Sequence, residues 1–172
     1  GTLSSGYFET TFETTFETTF ETTFETTFET MPMKPHLEMT EGNMAALEAF
    51  ASTNDQPIVM VNLMQVRANA EYGDAARNDC SGYDAFARYT KGSSEVRQQA
   101  GAELIWPGRA IQMPIGPSEK TWDLVALVRY PSAEAYLKMT ATKAYDAARA
   151  HRRAALYDSR LIMTAEHVSR KE

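Results

Sequence analysis

The sequence predicts an α+β domain, one antiparallel β-sheet carrying its helices on a single face. The first observation behind this is Pro57-Ile-Val-Met-Val-Asn-Leu-Met-Gln-Val-Arg67, a nearly unbroken apolar run of strand length. A strand with one wet face alternates apolar and polar residues. Here Ile58, Met60, Met64 and Val66 fall on one face and Val59, Val61 and Leu63 on the other, so both are expected to be covered. The second is the same double pattern in Trp122-Asp-Leu-Val-Ala-Leu-Val-Arg-Tyr130. The third is the element order: strand, helix, strand, strand, helix, strand, which is the ferredoxin-like βαββαβ unit. Helices cover one face of that sheet. The other needs a second cover, most simply another copy of the sheet, so a homodimer with sheets face to face is expected.

Taken in order, the chain opens with a leader, residues 1–30. From Phe8 it repeats Phe-Glu-Thr-Thr five times and stops at Phe28-Glu-Thr30. An unvaried repeat reads as an appended leader or an expansion rather than a functional module, and is set aside before the fold is considered. It holds six glutamates and no basic residue, so the net charge of −6 belongs to it and the remainder is formally neutral. A neutral domain without a basic patch argues against nucleic acid. Cys80 is the single cysteine, which excludes an intramolecular disulfide and makes a reducing cytoplasm the expected location. No stretch approaches the length of a membrane span.

Residues 31–56 form an extended lead-in and an accessory helix, capped by Thr40 and running to about Ala51, with Met44, Leu47 and Phe50 on its apolar side. The ferredoxin-like domain is expected to occupy 57–172. After the central strand comes a polar loop, roughly Ala68 to Cys80. Ser81 and Asp84 form a capping box for a helix running to Gln99, its buried side carrying Tyr83, Phe86, Ala87 and Tyr89 or Thr90. Gly101 stops it. Glu103-Leu-Ile-Trp106 is a short strand, Pro107-Gly108 a bulge or bend, and Arg109 to Ile115 its continuation. Gly116-Pro117 begins a turn. Ser132 starts a helix that breaks near 140–142. A longer helix continues to about Tyr157, and Ser159 to Thr164 is the last strand.

The series Val61-Asn-Leu63, Ser81-Gly-Tyr-Asp-Ala-Phe-Ala-Arg-Tyr89, Trp122-Asp123, Tyr130-Pro-Ser132 and His151-Arg-Arg-Ala-Ala-Leu-Tyr-Asp-Ser-Arg-Leu-Ile162 resembles the bacterial domain-of-unknown-function thirteen-thirty family over about residues 40 to 165. The resemblance implies the dimeric α/β barrel superfamily and a cavity between sheet and helices. It implies no established reaction.

Asn62, Trp122 and His151 are the candidate catalytic residues. Asn62 interrupts the apolar strand, and a buried amide must find hydrogen bonds or a ligand. It is either a structural pin or the floor of a pocket. His151 lies among Ala144, Ala147, Ala148 and Ala155 and is either a satisfied core histidine or a proton carrier. The resemblance adds that Asn, Trp and His serve haem-degrading monooxygenases of the superfamily, while Asn with Trp and Tyr serves cofactor-free quinone-forming ones. Arg149 and Arg152 either pair with Asp158 or Asp123 or anchor a substrate anion through the guanidinium fork. Tyr89 and Arg109 are pocket-rim candidates. The three histidines show no metal-ligand spacing, and no glycine-rich phosphate loop or Gly-x-Ser-x-Gly elbow occurs.

The expected function is therefore that of a homodimeric small-molecule-binding protein with no cofactor or metal. It would be a cofactor-independent enzyme performing oxygenation, isomerisation or other proton transfer on a small organic carbonyl or aromatic. In that scheme Asn62 polarises the substrate oxygen, His151 moves a proton and Trp122 shapes the pocket. The alternatives are a non-catalytic ligand-binding or dimerisation module and a haem-handling protein.

Overall fold

The computed structural model describes residues 34–74, 79–116 and 122–166. The leader, the turn after Gly116 and His167 lie outside the described residues. Contacts divide the chain at Lys34/Pro35, and the domain is the second of the two units.

Its elements are α1 (Glu41–Thr53), β1 (Ile58–Val66), α2 (Gly82–Gly92), α3 (Ser94–Gln99), β2 (Glu103–Arg109), β3 (Leu124–Tyr130), α4 (Ala133–Thr140), α5 (Lys143–Ala155) and β4 (Leu156–Ala165). The sheet order is β2-β3-β1-β4, all neighbours antiparallel. With helices crossing from β1 to β2 and from β3 to β4, this is the ferredoxin-like arrangement. β1 lies at the centre, as its apolar run predicts.

Local chemistry places most helix starts. The Thr40 hydroxyl accepts from the Asn43 amide, Ser132 from Ala135, Thr142 from Tyr145. Ser81 and Asp84 form the reciprocal capping box. Hydrogen bonds from Ser81 hold the Asp84 carboxyl below its ordinary pKa. The expected single helix from Ser81 to Gln99 is two helices. Ser93, fully buried, hydrogen-bonds its hydroxyl back to the Tyr89 carbonyl while Arg97 takes up the Ser93 carbonyl, and the axis breaks there. Gly101, at φ +69°, supplies the left-handed stop. The buried side of α2 is Gly82, Ala85, Phe86 and Tyr89, whereas Tyr83, Ala87 and Thr90 are exposed.

Three strand boundaries also differ from expectation. β2 slips register between Leu104 and Trp106, one step before the expected bulge at Pro107-Gly108. The Trp106 indole lies over Gly108: a Cβ there would lie 2.6 Å from Nε1, and the exposed ring would have to turn aside. β2 ends at Arg109 instead of continuing to Ile115, since β3 begins only at Leu124, and a single further bond, Ala110 N–H to the Asp123 carbonyl, follows it. At the other end, α5 passes directly into β4 at Leu156, two residues before the expected end of the helix and three before the expected strand.

Strand register shows how the sheet is covered. Ile58, Met60, Met64, Leu124, Ala126, Val128, Tyr130 and Met163 face the helices, in two clusters. One cluster gathers Leu47, Tyr136, Met139 and Tyr145; the other gathers Ala85, Ala154, Ala155 and Leu156. The opposite face presents Val59, Val61, Leu63, Val125, Leu127 and Ile162, none of which joins either cluster. That face is apolar and carries no described helix.

Candidate functional site

Asn62 lies on the helix face between Met60 of one core cluster and Met64 of the other. Its Nδ2 donates to the Met60 carbonyl at 3.2 Å and to the Ala126 carbonyl at 3.3 Å. An amide nitrogen has two hydrogens, and both are thereby committed. Polarising a substrate oxygen requires a donor, so the expected role for Asn62 would need one of these bonds to break. What remains is Oδ1, an acceptor.

His151 is positioned from two sides. α5 carries it, and the loop after β1 is tied down alongside by Arg67 N–H to the Ala155 carbonyl and Glu71 N–H to the Ala154 carbonyl, each 2.9 Å. This brings the Tyr72 hydroxyl to 2.8 Å from His151 Nδ1, with the rings edge to face at 5.6 Å. Arg88, on α2, donates to the same hydroxyl at 3.5 Å, which raises the Arg88 pKa. The result is a half-buried phenol–imidazole pair beside a cation.

Trp122 precedes β3, and the Arg160 guanidinium lies 5.6 Å from its ring centroid. Arg160 is held by Asp158 at 2.5 Å, and its backbone pairs with Leu63, on the helix-free side. Trp122 also lines an open cleft of about 530 Å³ with Arg109, Ala110, Ile111, Gln112, Met113 and Val125. That volume lies in the range of small-ligand sites. Trp122 and Asn62 therefore belong to opposite sides of the sheet. The three expected catalytic residues form no single constellation.

Of the expected binding residues, Arg109 lies in the cleft with Trp122. Tyr89 is interior, its hydroxyl 3.3 Å from that of Tyr145. Arg149 does pair with carboxylates, but these are Asp146 at 2.6 Å and Glu38 at 3.5 Å rather than Asp158 or Asp123. Arg152 takes no carboxylate among the described residues: it donates to the Leu37 carbonyl and the Ser159 hydroxyl, both at 3.0 Å, and stitches the lead-in to β4. Asp158 accepts from the His36 amide, the Ser159 amide and Arg160. Asp123 accepts from the Val66 amide.

Tyr72 and Arg160 are the residues sequence reasoning missed. Tyr72 sits in a polar loop with no periodicity, and Arg160 stands in a strand already carrying Asp158, Ser159 and Thr164, so neither stood out. Among the described residues no group of three His, Cys, Asp or Glu side chains could hold a metal ion, and no helix is long and apolar enough to cross a membrane.

Fold and site together define a ferredoxin-like α+β domain with one sheet face that carries no described helix and polar groups distributed over both faces. The chain belongs to the family described as Domain of unknown function (DUF1330), whose model matches residues 75–165. Two solved structures are similar over most of the chain. A methylated RPA0582 protein is 33% identical with a TM-score of 0.73, covering 81% of this chain and 100% of its own. The RPA0582 protein of unknown function from Rhodopseudomonas palustris is 32% identical with a TM-score of 0.72, covering 79% and 100%. No curated protein matches.

Proposed function

We propose that this chain is a small-molecule-binding protein that works as a homodimer of sheets packed face to face, the dimeric α/β barrel arrangement. The observation that carries the dimer is the apolar helix-free face. Strands about 4.8 Å apart and residues about 3.3 Å along each make that face roughly 19 Å by 25 Å, close to 500 Å². Patches of this size on a monomer usually mark an interaction site. Trp106, 58% exposed and opposite Leu127, and Ile111, 92% exposed and in one cleft with Val125, extend the apolar area. A stable interface takes roughly 800 Å² per partner, so the strand face needs these neighbours as well. Charges of both signs, Glu103 with Arg129 and Asp158 with Arg160, stand at the rim, so a second copy meets no one-signed field.

Light scattering of the full chain at tens of micromolar should give twice the monomer mass. Glutamates at Val61 and Leu127, which pair at the centre of the face, should give a folded monomer, with dissociation strengthened roughly a hundredfold or more. A monomeric parent would remove the reading.

A catalytic reading has its own support in the Tyr72–His151 pair. A phenol hydrogen-bonded to an imidazole can pass a proton in either direction near neutral pH without cofactor. The fitting reaction is proton transfer at carbon next to a carbonyl. With 1,3-dicarbonyl and 2-oxoacid probes in deuterated buffer, the protein should accelerate loss of the α-proton NMR signal. His151→Gln and Tyr72→Phe should each lower that acceleration roughly a hundredfold. Exchange no faster than buffer would leave a binding module without chemistry.

A further inference from the structure

We infer that the cleft lined by Arg109 and Trp122 is a binding site for a small planar organic anion, an aromatic or conjugated carboxylate, and that the second protomer completes it. This rests on the proposed face-to-face dimer. The walls are largely apolar, with Val125, Ile111 and Met113, and the Trp122 indole gives them a flat surface. Arg109 is the one charged residue among the described lining residues, and its side chain makes no hydrogen bond or ion pair among the described residues. An unpaired guanidinium beside an indole offers a two-pronged donor for a carboxylate and a stacking surface for the ring that bears it. Gln112 adds an amide at the same wall. Arg160, outside the cleft lining and neutralised by its ion pair with Asp158, lies against the Trp122 ring and steadies the indole.

The cleft is open in the protomer. Ile111 is almost wholly exposed, and Val125, on the floor, belongs to the helix-free face. Sites for small organic ligands bury most of the ligand surface, about 70–90%. One protomer supplies a floor and one wall. The sheet of a second copy, laid over Val125 and Leu127, supplies the lid.

The test is calorimetric titration of the full chain with benzoate and salicylate, against benzamide as the neutral shape match, after its subunit number has been measured. The dimer should bind at least one of the two carboxylates, with benzamide at least tenfold weaker. Arg109→Gln should bring the carboxylate to the benzamide level, and Trp122→Leu should weaken it at least tenfold. The monomeric variant with glutamates at Val61 and Leu127 should also lose at least tenfold. A confirmed dimer that binds neither carboxylate overturns the site while leaving self-association intact, and so does binding insensitive to Arg109→Gln. Unchanged affinity in the monomeric variant overturns completion by the partner. A monomeric parent removes the dimer reading at the first measurement, and this inference with it.

Discussion

Gly82→Ala should lower the unfolding free energy by about 3 kcal/mol and the melting temperature by roughly 10 °C. Gly82 is the first residue of α2, wedged where the end of β1 meets the end of α5. A Cβ there would overlap the Arg67 carbonyl oxygen and lie 2.9 Å from both the Ala155 carbonyl oxygen and the Val66 side chain. Two of these neighbours are backbone atoms; the Ala155 carbonyl is held by the Arg67 amide, and Gly82 itself is tied by its amide to the Ala68 carbonyl. Relief would require the loop to move away from α5, and that loop carries Tyr72 to His151. Gly42→Ala is the control. Nothing lies within 4 Å of a Cβ at Gly42, which sits on the exposed start of α1, so the same change should stabilise by about 0.5 kcal/mol. Chemical denaturation of the two variants checks both signs. A neutral Gly82→Ala would mean that β1, α2 and α5 do not meet as described.

Alkaline unfolding should be steep and should begin near pH 10. Burial raises the pKa of Tyr130 and of Tyr145 well above the ordinary value, and pushes Tyr136 up to about 12. The hydroxyl of Tyr89 close by raises them further. Below about pH 10, the ordinary tyrosine value, folded and unfolded chains are both neutral at these groups and the stability is intact. Between about pH 10 and 12 the unfolded chain loses these protons while the folded chain keeps them. Each group then costs the fold about 1.4 kcal/mol per pH unit, so three cost about 4 kcal/mol per unit at the steepest. Over that window the loss reaches about 8 kcal/mol, enough to unfold a domain in the lower half of the ordinary range of about 5–15 kcal/mol. Phenolate absorbance followed together with circular dichroism reads the result. These three of the eight tyrosines should ionise only as the dichroism is lost. All eight titrating smoothly near pH 10 with the fold intact would contradict the buried cluster.

Local chemistry made most of the fold legible. Thr40, Ser81 and Ser132 mark helix starts because a hydroxyl there satisfies an amide three residues on, an interaction contained within one turn. The doubly apolar runs marked β1 and β3 because side-chain parity along a strand is read directly from spacing. Where an outcome depended on a distant partner, spacing was silent. The break at Ser93 turns on burial of one hydroxyl, and the early end of β2 on where β3 begins.

The candidate site divides along the same line. Sequence alone singled out Asn62, Trp122, His151 and the arginines, since polar groups in apolar elements must be satisfied or used. Only the tertiary structure decided what satisfies them. Tyr72 is 79 positions from His151, and Ala126 is 64 from Asn62. Arg149 chose Asp146, one helical turn away, and Glu38, far upstream. Trp122 went to the helix-free side because it lies just outside β3, where strand parity no longer governs direction. A sequence states which groups need partners and, through periodicity, which face they start from. Which partner each obtains depends on loop paths and strand register, whose energies are summed over contacts far apart in the chain.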